Sequence, residues 1–471
     1  MTARLQQLGV LFAAGSVLLT GCAPTGGEAS ETIAGLEVRD GPSGVREDAP
    51  PPTARAYGGA TSQPDTVALH AISDLNEFWR ENIRLVADRP FSEVSRLLSW
   101  DATADVRDAG VFCHATTAGL ENAAYCPEDN SIGWDRDILL PYVAEHFGDI
   151  GIATVMAHEF GHAVSFHTHA SHDPAGLTGD ALLLWEQQAD CYAGVYLRHV
   201  AEGASPRFTL STTDGIRSVL AAMVAIRDHD VTAFASGHGS GLDRVTALQL
   251  GFTEGAPRCA ALDGTELHAR SPVVQDFAGP HDTGELPVNQ GTVSLVAESF
   301  AAAFGTQATP VVLSESGGAF CGAEERSAGP AIPAKYCRDT RSLAISLHEL
   351  ASRGRVERSP GPFPAAVRGD FSAFGIVASR LALALRDDAG LPLDGAEAAW
   401  AAACYTGAWA RSTAQTDSGR IFLSPGDLDE ALSELVTGDL IASDGSAEPL
   451  RSAFARVDAY RSGLTGGPDA C

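Results

Sequence analysis

An apolar stretch without proline runs from Ile150 to Ala157, and Ala163 and Val164 continue it. Such a run is typical of a helix that is buried in a protein core. Residues 218–227 and 428–436 also carry apolar side chains at helical spacing, whereas long alternating apolar and polar runs are few. The pattern predicts a mainly α fold of the α+β class, with a short strand pair near Tyr125 and near Tyr336.

The N-terminus carries one early arginine, Arg4, followed by the apolar run from Leu8 to Leu19 and then Thr20-Gly21-Cys22. The run is too short for a transmembrane helix and is typical of a secretory signal. Leu-Thr-Gly-Cys resembles a bacterial lipobox, which implies a lipoprotein signal peptide over 1–21 and lipidation of Cys22. We therefore expect a lipid anchor in the bacterial cell membrane, with the protein on the extracytoplasmic face.

Two stretches of low apolar content suggest the domain organisation. Residues 22–65 are rich in Pro, Gly, Thr, Ala and Glu, so they predict a flexible tether. Residues 263–290 are rich in Pro, Gly and polar side chains and predict a linker. Because the remainder of the 471-residue chain is longer than a typical domain, we expect one domain over 66–262 and another over 291–471.

The formal net charge is −28, from 60 acidic and 32 basic residues. No Lys/Arg cluster is present that could neutralise phosphates, which argues against nucleic acid or an anionic membrane surface as the partner. The charge is explained by solubility outside the cell.

Nine cysteines are present, and eight remain when Cys22 is assigned to lipidation. An even number in an exported protein indicates disulfides, and no Cys-x-x-Cys spacing suggests a zinc site instead. Eight cysteines still allow many pairings.

Short segments recur in the same order roughly 210 to 220 residues apart, which predicts two copies of one domain. The alternative is chance similarity in a chain rich in Ala and Gly. The recurring segments are 124–129 and 335–339, 148–150 and 369–371, 189–194 and 402–407, and 255–259 and 466–471. The simplest pairing that repeats joins Cys113 to Cys126, Cys191 to Cys259, Cys321 to Cys337 and Cys404 to Cys471.

The predicted buried helix contains the segment His158-Glu159-Phe160-Gly161-His162. Residues four apart share one face of a helix, so both imidazoles can reach a single metal ion. Glu159 follows the first imidazole, where a carboxylate can take a proton from zinc-bound water. The segment predicts a site for one Zn²⁺ and a hydrolytic reaction.

A catalytic zinc needs a third protein ligand and an open position. The metzincin pattern is excluded, because Ser165 and Thr168 stand where it requires Gly and His. The gluzincin pattern takes a Glu from a second helix with an Asp four residues later, and Glu186 and Asp190 supply that pair 24 residues after His162. We expect Glu186 to bind the metal and Asp190 to accept a hydrogen bond from a ligand imidazole. The alternative for Glu186 is a carboxylate favoured near a helix N-terminus.

The second copy lacks all of these side chains. When the copies are aligned at Gly148 and Gly369, Ser379, Arg380 and Leu383 stand opposite His158, Glu159 and His162. When segments 189–194 and 402–407 are aligned, Ala399 and Ala403 stand opposite Glu186 and Asp190. This predicts a degenerate copy that does not bind metal.

The two motifs together, His-Glu-Phe-Gly-His and Glu-Gln-Gln-Ala-Asp-Cys-Tyr-Ala-Gly, resemble the neutral zinc metallopeptidases of bacteria. The resemblance covers roughly Asp74 to Cys259. It implies an α-rich, zincin-like domain that binds zinc and cleaves a protein or peptide substrate. Gln187 stands where the family usually has Leu, and an aromatic residue expected shortly after Arg244 is missing; neither departure touches the metal ligands.

We expect Glu159 to act as the general base and then to protonate the leaving amine. The oxyanion needs a further donor, for which His238 is the first candidate and Arg244 the second; the alternative is a loop histidine and a surface arginine. Two other functions stay open at this point. One is a non-catalytic cell-surface scaffold or binding protein, and the other is a zinc amidase acting on cell-wall material.

Overall fold

The computed structural model describes residues 31–59, 61–168, 176–227, 237–270, 283–314, 318–322, 331–356, 366–414 and 421–471. The predicted signal peptide and Cys22 lie outside these residues. About 52% of the chain is helical and the remainder includes small sheets, so the fold is mixed α/β and agrees with a mainly α prediction. Within the described ranges, no helix combines the length and the apolar character needed to cross a membrane.

Thirteen α-helices lie in the described part of the chain. They are α1 (Gln63–Asn82), α2 (Leu139–Thr168), α3 (Asp180–Ala201), α4 (Asp214–Ala225), α5 (Gly241–Glu254), α6 (Ala256–Ala260), α7 (Gly264–Arg270), α8 (Gln290–Phe304), α9 (Leu347–Arg353), α10 (Asp370–Asp388), α11 (Ala396–Ala414), α12 (Asp427–Ser433) and α13 (Ala453–Gly466). A π-helical turn, Glu434–Gly438, follows α12 directly.

The strands are short and form small sheets. They are β1 (Thr32–Ile33), β2 (Leu36–Glu37), β3 (Gly44–Val45), β4 (Arg96–Trp100), β5 (Val111–Phe112), β6 (Ala115–Thr116), β7 (Ala123–Cys126), β8 (Ser131–Asp135), β9 (Phe208–Thr209), β10 (Val311–Leu313), β11 (Ala334–Cys337) and β12 (Ser342–Ile345). Two sheets have three strands, in the orders β4-β8-β7 and β10-β12-β11.

Helix α2 is the central helix of the first half of the chain. It is broken at Gly148, whose φ of 70° lies in the left-handed region that favours glycine. After this break, every residue from Ile150 to Ser165 is buried. A helix that is apolar on all sides belongs in a core, so the predicted buried helix is confirmed.

The two halves of the chain contain sheets of the same pattern. In the first, β4 runs parallel to β8 and β7 antiparallel to it. In the second, β10 runs parallel to β12 and β11 antiparallel to it. The strand pairs predicted near Tyr125 and Tyr336 are therefore present, each within a three-stranded sheet.

Two pairs of helices also pack alike, with glycines where the backbones touch. A Cβ on Gly194 of α3 or on Gly251 of α5 would collide with the backbone of the opposite helix. The same holds for Gly407 of α11 and Gly463 of α13. Only glycine permits such an approach, so close contact of these helices depends on all four positions.

The four disulfides are the four pairs predicted from the sequence. They join Cys113 to Cys126, Cys191 to Cys259, Cys321 to Cys337 and Cys404 to Cys471. The second and fourth bridges span 68 and 67 residues and connect α3 to α6 and α11 to the C-terminus.

The prediction of a flexible tether over 22–65 is wrong for its described part beyond residue 30. Strand β3 pairs with β9, Ile33 and Val38 are buried, and the amide of Arg39 donates to Thr212 Oγ1 at 2.7 Å. The segment has few large apolar side chains, which is why its composition predicted a flexible tether. Its backbone polar groups are nevertheless satisfied by pairing with a strand that is distant in sequence.

The predicted domains share one hydrophobic core. Residues 31–471 form one compact unit, in which Phe252 and Phe454 pack with ring centroids 5.1 Å apart and Gln249 Nε2 donates to the carbonyl of Phe454. In the predicted linker, 264–270 forms α7, and 271–282 lies outside the described residues. The second half therefore packs directly against the first.

Candidate metal centre

Helices α2 and α3 cross at a glycine of the His-Glu-Phe-Gly-His segment. A Cβ on Gly161 would collide with the carbonyl oxygen of Ala189 in α3. Without a side chain at this position the helices come close enough for Glu186, one turn before Ala189, to reach the histidines of α2. The segment thus supplies donor atoms and also the space for a second helix to approach them.

Three predicted ligands converge on one point. Nε2 of His158 lies 3.3 Å and Nε2 of His162 lies 3.4 Å from Oε2 of Glu186. All three side chains are buried. The two imidazole rings lie edge to face, with centroids 4.7 Å apart, as expected for residues four apart on one helical face.

The geometry fits a tetrahedral metal ion. Ligand atoms about 2.0–2.1 Å from a tetrahedral zinc lie about 3.3–3.4 Å from one another, which matches both nitrogen-to-oxygen distances around Glu186. Oε2 of Glu186 is buried, and no described donor makes an aligned hydrogen bond to it. Two imidazoles and one carboxylate form a known catalytic zinc set, so His158, His162 and Glu186 fit Zn²⁺.

Asp190 lies beneath the first histidine, as expected. Its Oδ1 is 2.6 Å from Nδ1 of His158, on the side of the ring away from Glu186. A carboxylate at Nδ1 fixes the ring orientation and keeps the proton on that nitrogen, so Nε2 is left to bind a metal. The prediction allowed either histidine, and the structure selects His158.

The prediction that Arg244 donates to an oxyanion is wrong. Its guanidinium is buried and pairs with Asp190, with Nε 3.0 Å from Oδ2 and Nη2 2.8 Å from Oδ1. Nη1 donates to the carbonyl of Ile226 at 2.7 Å. Arg244 is neither a surface residue nor a residue of the cleft, and instead holds the carboxylate that orients His158.

The electrostatics of the site favour charged carboxylates. Burial alone raises the pKa of Glu186, but the imidazoles of His162 and His238 outweigh it and hold that pKa well below its usual range. Burial likewise raises the pKa of Asp190, and Arg244 and His158 bring it below the ordinary value. Burial lowers the pKa of His158, yet Asp190 reverses the effect and raises it to about 10.

A cleft of about 380 Å³ opens over the three ligands. Glu159 lines it beside the ligands, and its side chain is largely buried. His238 also lines it, with Nε2 3.7 Å from Oε2 of Glu186. The predicted base and the first oxyanion candidate therefore both face the same space as the ligands.

Two aromatic residues also line the cleft, of which Trp185 was not predicted as part of the site. Trp185 stacks on His162, with centroids 5.4 Å apart and planes 15° apart. Tyr125 of β7 also lines the cleft and shares a hydrogen bond with Asn130. The sequence signal that could have indicated this was the position of Trp185 next to Glu186, because on α3 its side chain reaches His162 of the neighbouring helix α2.

No family model matches the chain, and comparisons with curated proteins and with solved structures give no match either. Interpretation of the site therefore depends on its own geometry: three converging donors, a carboxylate beside them, and a cleft that admits a ligand.

Proposed function

We propose that this chain is a zinc-dependent metallopeptidase that holds one Zn²⁺ through His158, His162 and Glu186. The observation that carries the proposal is the position of Oε2 of Glu186, 3.3 Å and 3.4 Å from the two Nε2 atoms. Three donors at these separations, buried at the base of an open cleft, lack another evident role. The resemblance to neutral zinc metallopeptidases supports the same assignment.

Zinc bound there would polarise a carbonyl and lower the pKa of a coordinated water. Glu159 takes the proton from the attacking water and transfers it to the leaving amine. Its place in the cleft, next in sequence to His158, supports this role. His238 donates to the oxyanion that develops on the substrate carbonyl, a role supported by its place in the cleft with Nε2 3.7 Å from Oε2 of Glu186.

Strand β7 suggests how a polypeptide substrate is held. Among the described strands it pairs with β8 alone, and Ala123, Ala124 and Tyr125 line the cleft. An extended substrate can add to such an edge through backbone hydrogen bonds. This favours a protein or peptide substrate over a compact small molecule.

The second half is proposed to be a degenerate copy of the metallopeptidase domain, which has a zincin-like fold. The matching sheets, the matching glycine contacts and the two long disulfides support this interpretation. Arg380, aligned with the base, is buried and donates to the carbonyls of Ser443, Asp444 and Leu440. The guanidinium thus holds a loop together at the position where the first half has its cleft.

The location of the protein is proposed from the sequence. A lipid on Cys22 would anchor it at the extracytoplasmic face of the bacterial cell membrane. Replacing Cys22 with Ser should move the protein from the membrane fraction to the soluble extracytoplasmic fraction. Retention of the Cys22→Ser variant in the membrane would contradict the anchor.

The test of the activity is Glu159→Gln, with Glu145→Gln at an exposed position of α2 as the matched control. We expect the Glu159 variant to keep one zinc per chain, measured by mass spectrometry of the metal, and to lose about 100- to 10,000-fold in cleavage of casein or a peptide library. His162→Ala should lose both zinc and activity.

The same samples distinguish the other functions. Zinc-loaded protein without any Glu159-dependent hydrolysis would identify a scaffold or binding protein. Hydrolysis of cell-wall amides, with casein left intact, would identify an amidase that uses the same residues.

A further inference from the structure

A second group of carboxylates lies at the start of α10, away from the candidate zinc site. Glu285, Asp370 and Glu430, called here the acidic cluster, each place one oxygen within 4.8 Å of the others. They come from the segment before α8, the first residue of α10 and the middle of α12. Asp427 lies close enough to interact electrostatically with Asp370 and Glu430.

The backbone amides of α10 balance only part of the negative charge of the acidic cluster. The amide of Asp370 donates to Glu285 at 2.9 Å, and the amide of Phe371 donates to Glu430 at 2.9 Å. A helix N-terminus is equivalent to about half a positive charge, whereas the cluster brings three carboxylates together. Helix capping alone does not balance them.

Within the described part of the chain, no arginine forms an ion pair with the acidic cluster. Near α12 and the turn after it, Arg227 pairs with Asp429 at 3.0 Å, Arg353 lies 3.7 Å from Glu434, and Arg368 also acts electrostatically on Glu434. None of the ion pairs found among the described residues includes a member of the acidic cluster. Buried carboxylates without a counter-charge are strongly disfavoured.

One carboxylate oxygen of Asp370 is buried without a hydrogen-bond donor. Only 3% of the surface of Asp370 is exposed. Oδ2 accepts from the amide of Leu286 at 2.6 Å, whereas Oδ1 is buried and has no hydrogen-bond partner among the described atoms. A buried carboxylate oxygen without a donor requires another positive or donating group.

We propose that the acidic cluster binds a divalent, oxygen-preferring cation of the calcium class. The donors are all carboxylate oxygens, which suit Ca²⁺ or Mg²⁺ and not zinc. Oxygens on opposite sides of Ca²⁺, at about 2.3–2.6 Å from it, are about 5 Å apart at most, so a group within 4.8 Å is of the right size. Ca²⁺ is favoured because it tolerates irregular ligand sets with several carboxylates.

The bound cation would join three separate elements. Glu285 leads into α8, Asp370 begins α10, and Glu430 belongs to α12, whose Asp429 also accepts from the amide of Leu242 at the start of α5. A cation here therefore stabilises the packing of the second half and its contact with the first. The site is structural and independent of the proposed zinc site.

The test uses the full exported chain and Ca²⁺ itself. Calorimetric titration should give one Ca²⁺ per chain, and saturation should raise Tm by several degrees, because a ligand that binds only the folded state stabilises it. Glu285→Gln, at a half-buried position that spares the core, should weaken Ca²⁺ binding at least tenfold. Glu298→Gln, exposed on α8, is the matched control and should bind as the wild type does.

A second variant separates the two metal sites. His162→Ala, which removes a proposed zinc ligand, should keep the Ca²⁺ response in full. Loss of that response in His162→Ala, or its persistence in both Glu285→Gln and Glu430→Gln, would overturn the assignment to this cluster.

The competing explanation is that shared protons, and not a cation, neutralise the carboxylates of the acidic cluster. If neither Ca²⁺ nor Mg²⁺ binds or raises Tm at neutral pH, and Glu430→Gln is as stable as the wild type, shared protons balance the cluster and the proposal is wrong. Tighter binding of Mg²⁺ than of Ca²⁺ would overturn the choice of the calcium class.

Discussion

Arg244 and Asp190 form a two-point ion pair inside the protein, with Nε 3.0 Å from Oδ2 and Nη2 2.8 Å from Oδ1. The same Oδ1 lies 2.6 Å from Nδ1 of His158. The carboxylate is therefore shared between a guanidinium of α5 and a proposed metal ligand of α2. Through this chain of contacts, Arg244, which lies outside the cleft, holds the carboxylate that orients His158, a proposed ligand inside it.

Removal of this guanidinium should damage stability and metal binding together. Arg244→Met leaves Asp190 buried without its counter-charge, which costs about 3–5 kcal/mol in free energy of unfolding. Zinc affinity should fall about 10- to 100-fold, as for other residues that orient a ligand. Arg80→Met, which breaks an exposed pair with Glu93, is the control, and urea unfolding with zinc titration is the measurement. An equal effect of both variants would contradict this role.

Gly161 should be as necessary for zinc binding as the histidines around it. Gly161→Ala places a methyl group against the carbonyl oxygen of Ala189 and forces α2 and α3 apart. We expect lower zinc content and a loss of about 1–3 kcal/mol in stability, typical of overpacking. Gly264→Ala, where an added Cβ meets nothing within 4 Å, is the control. Full zinc occupancy in Gly161→Ala would refute the contact.

His238 should affect turnover and not metal binding. If it donates to the oxyanion, His238→Ala lowers kcat about 100- to 1,000-fold, with one zinc retained and KM little changed. Steady-state kinetics and metal analysis of the same preparation provide the measurement. Loss of zinc from His238→Ala would instead indicate that His238 binds the metal. Its Nε2 lies 3.7 Å from Glu186 Oε2, close enough for that alternative.

The two long disulfides should contribute similarly to stability and differently to the metal site. They close 68- and 67-residue loops, so each should be worth about 4 kcal/mol in the chain-entropy model. Cys191 follows Asp190 directly on α3, whereas Cys404 is in the second half. The double variant Cys191→Ala/Cys259→Ala should therefore lose zinc affinity as well as Tm, and Cys404→Ala/Cys471→Ala should lose Tm alone.

Glu434 should make the protein less stable as pH rises. Burial raises its pKa to about 7 in the folded chain, although Arg353 at 3.7 Å opposes the shift. Below pH 4.5 the side chain is protonated in both the folded and unfolded states. Between pH 4.5 and about 7, Glu434 ionises in the unfolded chain but stays protonated in the folded one, so stability falls by about 3 kcal/mol and levels off above pH 7.

Urea unfolding between pH 5 and pH 8 tests this effect. Glu434→Gln should flatten the pH dependence relative to the wild type, and the exposed Glu298→Gln should not. Identical pH profiles for the wild type and Glu434→Gln would show that Glu434 does not titrate in this range.

Local sequence patterns were sufficient for several parts of the molecule. The helix around His158, the ligand candidates and the disulfide pairs depend on residue type and spacing within one element or on an internal repeat. The position of Asp190, four residues after Glu186, likewise places it one helical turn away whatever the rest of the chain does. Such features are predictable because the backbone periodicity alone determines which side chains share a face.

Long-range contacts could not be obtained in this way. Residues 31–59 looked like a spacer because their composition is poor in large apolar residues, yet β3 pairs with β9 more than 160 residues later. Arg244 was assigned to the wrong role because nothing near it in sequence indicates that Asp190 lies within reach. Both errors concern partners supplied by distant segments.

The order and spacing of residues thus predicted which side chains could act together: two histidines and two glutamates at one proposed metal site, and eight cysteines in four pairs. Folding determined which atoms meet. It selected His158 over His162 as the partner of Asp190, buried Arg244 behind them, and joined both halves in one core. The physical reason is that helical periodicity is a property of the local backbone, whereas burial and ion pairing depend on segments that only packing brings together.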